Sequence, residues 1–164
     1  MAVNRGKQFE SIIQESFEKI ENVSVIRLHD QTTGFKGSAN PCDFLVYHKP
    51  YLYAIECKTI HGNTFPLSNI SDFQWKSLLR MSDIEGIFAG IIVWWVDKDV
   101  TKYISIKELE QIKQNGFKSI SYDHFKFYPL PYPYSSFSVV DIPGKKKKVF
   151  FDYDMQVFLD EVKK

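Results

Sequence analysis

Two acidic residues and a lysine stand where a β-hairpin would bring them together. Runs rich in β-forming residues flank Lys49 and Pro50, a pattern that predicts two strands with a tight connection. If the loop is symmetric about that bond, Asp43 lies directly opposite Glu56, and strand alternation places Lys58 on the same face. Neighbouring carboxylates repel each other unless a cation lies between them. A paired acid with a nearby lysine is the set that a hard metal ion and a metal-activated water require.

The chain before the hairpin predicts one helix, one strand and one loop. Residues 7–20 have the spacing of an amphipathic helix, with the apolar stripe Phe9, Ile12, Ile13, Phe17 and Ile20. Glu10 lies at the edge of that stripe, where it either reaches a site on the adjacent sheet or is an ordinary solvated glutamate. Residues 23–28 predict a strand, and the glycine-containing stretch 30–41 predicts a loop.

The chain after the hairpin alternates helices and strands. Ser71 and Gln74 have the spacing of a capping box, which predicts the start of a helix. Residues 87–96 are nearly all apolar and predict a central strand buried on both faces, followed by a strand at 100–104. A second capping box at 105–108 predicts a helix that ends near Gly116.

These elements predict an α/β fold with a mixed central sheet flanked by helices. We expect one domain over residues 1–164, with a core at about 4–125 and an aromatic and basic extension at 126–164 that closes with a short helix. The net charge of +1 means that any nucleic-acid surface is local. We expect no membrane span and a reducing, cytoplasmic setting, in which Cys42 and Cys57 are buried thiols more often than a disulfide.

The order of elements and the spacing Asp43…Glu56-Cys57-Lys58 resemble the PD-(D/E)XK nuclease superfamily. Further stretches are similar to the RecU-type Holliday junction resolvases and cover most of residues 4–125. They are Asn4-Arg5-Gly6, Glu56-Cys57-Lys58-Thr59, Phe65-Pro66-Leu67-Ser68-Asn69, Gln74, Gly86-Ile87 and Lys118-Ser119-Ile120. A short form of the kind carried by a phage or a mobile element fits this pattern.

The resemblance implies a homodimeric, magnesium-dependent endonuclease that resolves four-way DNA junctions in recombination and repair. Asp43 and Glu56 would be metal ligands, Lys58 would orient or stabilise the attacking water, and Gln74 would support the active site. Hard carboxylate ligands favour Mg²⁺, with Mn²⁺ as a substitute. The four histidines have no metal-binding spacing and predict surface or loop positions.

Two features depart from the family pattern. The short loop 30–41 stands where the family has a long stalk-like insertion, so junction selectivity is expected to be weaker, and Phe73 replaces the usual histidine before Gln74. We expect phosphate contacts from the following basic residues: Arg5, Lys7, Lys36, Lys145, Lys146, Lys147 and Lys148.

Several alternatives stay open at this level. Glu56 and Lys58 also fit an ordinary exposed strand pair, Gln74 fits a plain capping partner of Ser71, and Lys145–Lys148 fits a solvated turn. At the level of function, the alternatives are a restriction-type or repair nuclease that acts on simpler DNA, and a non-catalytic DNA-binding protein with the same fold.

Overall fold

The computed structural model describes residues 4–28, 39–124 and 139–163. The helices are α1 Arg5–Glu18, α2 Asp72–Ser82, α3 Ile106–Gln114 and α4 Met155–Glu161. The strands are β1 Val23–Arg27, β2 Phe44–His48, β3 Tyr51–Ile60, β4 Thr64–Pro66, β5 Ile87–Trp95, β6 Val100–Ser105, β7 Ser119–Ser121, β8 Val139–Asp141, β9 Gly144–Lys146 and β10 Phe151–Tyr153.

A six-stranded mixed sheet in the order β1-β2-β3-β5-β6-β8 lies at the centre. Strands β3 and β5 pair in parallel, and the other neighbours in this sheet pair antiparallel. Two small ladders, β4 with β7 and β9 with β10, lie outside it. The expected α/β class with a mixed sheet flanked by helices is confirmed.

The hairpin of β2 and β3 has the expected register. Phe44 pairs with Ile55 and His48 pairs with Tyr51, so the connection is the two-residue turn at Lys49 and Pro50. Regular pairing begins at Phe44, and Asp43 therefore lies just outside the ladder, next to its first pair. The hairpin fixes which face of β3 each side chain takes.

Helices cover the sheet on both faces. On one face, α1 and α4 contribute apolar side chains to a core with β2 and β3, including Phe9, Ile13, Phe17, Phe158 and Leu159. On the other face, α2 packs on β5 and α3 packs on β5 and β6, through Trp75, Leu78, Ile106, Leu109 and Ile112. Because β5 lies between these layers, its residues alternate between the two cores, as its uninterrupted apolar sequence predicts.

Most expected elements appear at their positions, with boundary differences of a few residues. The connection after the hairpin contains an unexpected short strand, β4, which pairs with β7. The aromatic and proline-rich stretch 125–137 lies outside the described residues, as do residues 30–38 of the loop 30–41. The division into core and extension stays a prediction.

The structure also bears on the two cysteines, on membrane-spanning helices and on one histidine. Cys42 and Cys57 are buried free thiols. No helix in the described parts of the chain is long and apolar enough to cross a membrane. His124 is buried at 6 % exposure, so its expected surface or loop position is wrong, because its ring packs against Phe117.

Candidate active site

Asp43 is fixed by its backbone before its side chain takes part in the site. Its N–H donates to the Ile55 carbonyl over 3.0 Å, and its carbonyl accepts the Leu28 N–H over 2.8 Å. Its Oδ2 accepts the Cys57 N–H over 2.7 Å. The carboxylate is thereby held at the point where β2 and β3 begin to pair, beside Glu56.

Glu56 is the most deeply buried acid of the group, at 3 % exposure. Its Oε1 accepts a hydrogen bond from Lys58 Nζ over 2.6 Å and another from Gln74 Nε2 over 2.7 Å. Its Oε2 is buried and has no hydrogen-bond partner among the described residues. One oxygen is therefore fully engaged, and the other is an orphaned acceptor, which is costly for a buried charged group.

Burial and mutual repulsion favour the protonated forms of this acid pair. Burial raises the pKa of Asp43 to about 7, with a further rise from the charge of Glu56, against the lowering effect of the Cys57 N–H. Burial also raises the pKa of Glu56, and Lys58 and Gln74 oppose that rise. Asp43 is therefore partly protonated near neutral pH, and a bound cation would displace that proton.

Glu10 lies near the acid pair, and its charge raises the pKa of both Asp43 and Glu56. Its Oε2 is 2.5 Å from a guanidinium nitrogen of Arg27. Arg27 also approaches the hydroxyl of Ser11 over 3.4 Å and the ring of Phe44, its partner in the β1–β2 ladder. Arg27 was not predicted as a site residue, although it lies at the end of β1, opposite the residue that follows Asp43.

The structure separates the expected phosphate contacts into two regions. Arg5 and Lys7 are exposed in the first turn of α1, the helix that carries Glu10. Lys146 forms an ion pair with Asp99, and Lys147 forms one with Asp152 over 3.3 Å. Lys145 and Lys148 are exposed in the same hairpin of β9 and β10, while Lys36 lies outside the described residues.

The donor set fits one hard cation held by two carboxylates. Within residues 4–28, 39–124 and 139–163, no cluster of three or more His, Cys, Asp or Glu side chains forms a ready ligand set. The orphaned Glu56 Oε2 beside Asp43 nevertheless lacks the partner that a divalent cation supplies. Oxygen donors suit Mg²⁺ or Mn²⁺ better than softer metals.

A mixed sheet with an aspartate before one strand and Glu-x-Lys on its hairpin partner defines the class of PD-(D/E)XK nucleases. A profile described as RecU: Recombination protein U matches residues 4–142. The chain therefore belongs to the RecU family, the family of Holliday junction resolvases, and is a nuclease of DNA recombination.

Comparison with solved structures gives a likeness to Hjc of Archaeoglobus fulgidus, a Holliday junction resolvase from an archaeal hyperthermophile solved at 1.6 Å resolution. The identity is 19%, the match covers 62% of this chain and 78% of that chain, and the TM-score is 0.47. No curated protein sequence gives a significant match to this chain.

Proposed function

We propose that this chain resolves four-way junctions by paired, metal-dependent incisions, with Asp43 and Glu56 as the metal ligands. The observation that carries the proposal is the state of Glu56. Its carboxylate is buried, its Oε1 is held by Lys58 and Gln74, and its Oε2 has no partner among the described residues. A structural ion pair would engage the carboxylate fully, whereas a metal ligand needs one free oxygen.

The residues around the acid pair have distinct roles in this proposal. The Cys57 N–H orients the Asp43 carboxylate, and the amide of Gln74 orients Glu56. Lys58 donates a hydrogen bond to Glu56 Oε1, the same oxygen that accepts from Gln74. In this proposal Lys58 orients or stabilises the attacking water. Glu10, held by Arg27, is the supporting acid.

A divalent ion in this site would polarise the scissile phosphate and lower the pKa of a bound water. Resolvases of this family depend on a divalent metal ion. We propose Mg²⁺ because the candidate ligands are carboxylates, with Mn²⁺ able to replace it.

We further propose that the enzyme acts as a two-fold homodimer in the cytoplasm, because symmetric incision of two strands needs two sites. Arg5, Lys7 and the Lys145–Lys148 segment would contact phosphates and recognise backbone shape rather than base sequence. We expect the short loop at 30–41 to make junction preference weaker than in stalk-bearing relatives.

The test is a cleavage panel of four-way junction, fork, linear duplex and single strand, with Mg²⁺, with Mn²⁺ and with a chelator. The expected result is metal-dependent paired nicking of the junction in preference to the duplex. Equal binding and cutting of junction and duplex would refute junction selectivity and favour a general nuclease. No nicking of any substrate with either metal, by protein that still binds DNA, would favour the non-catalytic alternative.

A further inference from the structure

Three charged or polar side chains form a hydrogen-bonded chain beyond the acid pair. Asp97, just after β5, accepts the Gly62 N–H over 2.7 Å through Oδ2 and contacts His61 Nδ1 over 2.8 Å through Oδ1. His61 Nε2 lies 3.0 Å from a guanidinium nitrogen of Arg5. The three residues come from three separate elements of the fold.

The hydrogen-bond partners of the His61 ring determine which of its nitrogens carries the proton. A guanidinium can only donate hydrogen bonds, so His61 Nε2 must accept one from Arg5. The bonds from Gly62 and His61 lower the pKa of Asp97, so its carboxylate is ionised and only accepts. The single proton of the neutral ring therefore lies on Nδ1.

Arg5 lies on α1, the helix that also carries Glu10. It precedes Glu10 by five residues, an axial rise of about 7.5 Å, and the charge of Glu10 raises the pKa of Asp43 and of Glu56. The Arg5 guanidinium has five N–H donors and His61 engages one of its nitrogens, which leaves a fork suited to a phosphate.

We propose that Asp97 and His61 act as positioning residues that hold Arg5 as a phosphate-binding group beside the cleavage site. The inference rests on the proposed function, because it requires that the protein binds DNA. Asp97 fixes the ring, the ring presents one acceptor to Arg5, and the remaining donors of Arg5 bind a backbone phosphate near the one that is cut. His61 has the expected surface position, with a side chain that is 59% exposed, and this proposal gives it a specific role there.

The first test determines which ring nitrogen of His61 carries the proton, by long-range ¹H–¹⁵N NMR of protein with ¹⁵N-labelled histidine. The His61 signal is assigned by its absence in His61→Gln. The expected wild-type signal is that of an Nδ1–H ring. Asp97→Asn offers an amide N–H to Nδ1 and should convert the ring to the Nε2–H form, while Asp99→Asn in the same turn should leave it unchanged. An Nε2–H ring in the wild type would overturn the proposal.

The second test measures junction binding against salt concentration in chelator, so that cleavage plays no part. Arg5→Gln should lower the log–log slope by about one and weaken binding about threefold at moderate salt. His61→Leu should reproduce most of that loss, and His61→Gln, whose amide can accept from Arg5 and donate to Asp97, should restore it.

The double variant Arg5→Gln/His61→Leu should bind no more weakly than Arg5→Gln alone, because the two residues act through one contact. Additive losses, or wild-type slopes in His61→Leu, would overturn the proposal even if thermal stability changed. The proposed nuclease function fails separately, through absent metal-dependent cleavage by the wild-type protein, so the two failures are distinguishable.

Discussion

Gln74 donates from Nε2 to Glu56 Oε1 over 2.7 Å, while its own Oε1 accepts the Ser71 backbone N–H over 3.2 Å. The same amide therefore completes the capping box at the start of α2 and holds the buried carboxylate in place. The capping interpretation that the sequence left open for Gln74 is confirmed, and the active-site role stays a prediction that the contact with Glu56 supports. The start of α2 and the orientation of Glu56 are physically coupled.

Two variants at the start of α2 can separate the capping of the helix from the orientation of Glu56. Ser71→Ala removes the capping hydroxyl but keeps the amide on Glu56, so we expect a loss of about 1 kcal/mol in the free energy of unfolding and cleavage within a few-fold of wild type. Gln74→Leu removes both contacts, and we expect a similar loss of stability with cleavage lowered about 10–100-fold. Urea unfolding and single-turnover cleavage check the pair. Equal cleavage by both variants would contradict a role for Gln74 at the site.

Substitutions in the acid pair should abolish cleavage without unfolding the protein. We expect Asp43→Asn and Glu56→Gln each to lower the cleavage rate more than about 100-fold, because each removes a charged ligand, and Lys58→Met to do so through the attacking water. Asparagine at 43 keeps an acceptor for the Cys57 N–H, which Ala would leave unpaired. Circular dichroism and junction binding in chelator serve as controls. Wild-type cleavage by Glu56→Gln would refute the assignment.

The metal-free protein should lose stability as the pH rises from about 4 to about 7. The folded-state pKa of Asp43 is raised to about 7 from an ordinary 3.8, so in this window the folded protein holds a proton that the unfolded chain has lost. The free energy of unfolding therefore falls with rising pH and stays low above the folded pKa. Saturating Mg²⁺ should oppose the loss, because it binds the deprotonated pair.

Urea unfolding at pH 5 and pH 8, with and without Mg²⁺, measures this effect. Burial also raises the pKa of Glu56, and it raises the pKa of Glu108 to about 7, so both residues add contributions of the same sign to the wild-type slope. Asp43→Asn should flatten the slope in part and abolish the Mg²⁺ effect, whereas Glu108→Gln should flatten it but keep the Mg²⁺ effect. A wild-type pH slope and Mg²⁺ response in Asp43→Asn would be inconsistent with this account.

The lysines of the β9–β10 hairpin should differ in their contribution to DNA binding. Lys146 is paired with Asp99, and Lys147 shares Asp152 with Lys19, so replacing Lys146 and Lys147 with Gln should lower the log–log salt slope by less than about two in total. Lys148 forms no ion pair within the described parts of the chain, and Lys148→Gln should by itself lower the slope by about one. The reverse ranking would show that DNA displaces the acidic partners.

The assembly prediction is a dimer in solution. Light scattering at tens of micromolar protein should give about twice the mass of the 164-residue chain. Mixing wild-type and Glu56→Gln subunits should then produce nicks in one strand only, because one site of each mixed dimer is inactive. A monomer that still makes paired incisions in a junction would contradict the proposal.

Local sequence determined most of the fold. The hairpin register followed from the symmetry of a short turn, because alternation with a period of two leaves each residue only one face. The helix at Ser71 followed from its capping pattern, and the central position of β5 followed from an uninterrupted apolar run. Asp43, Glu56 and Lys58 could be placed together because all three belong to one hairpin.

Tertiary structure decided the contacts between residues that are far apart in the chain. The Arg27–Glu10 pair, the Gln74–Glu56 bond and the Asp97–His61–Arg5 chain each join separate elements. No local propensity records such a contact, because it depends on how helices and loops lie across the sheet. The pattern could show which residues share a strand face, but only the packed chain shows that Glu56 has one oxygen engaged and the other without a partner among the described residues.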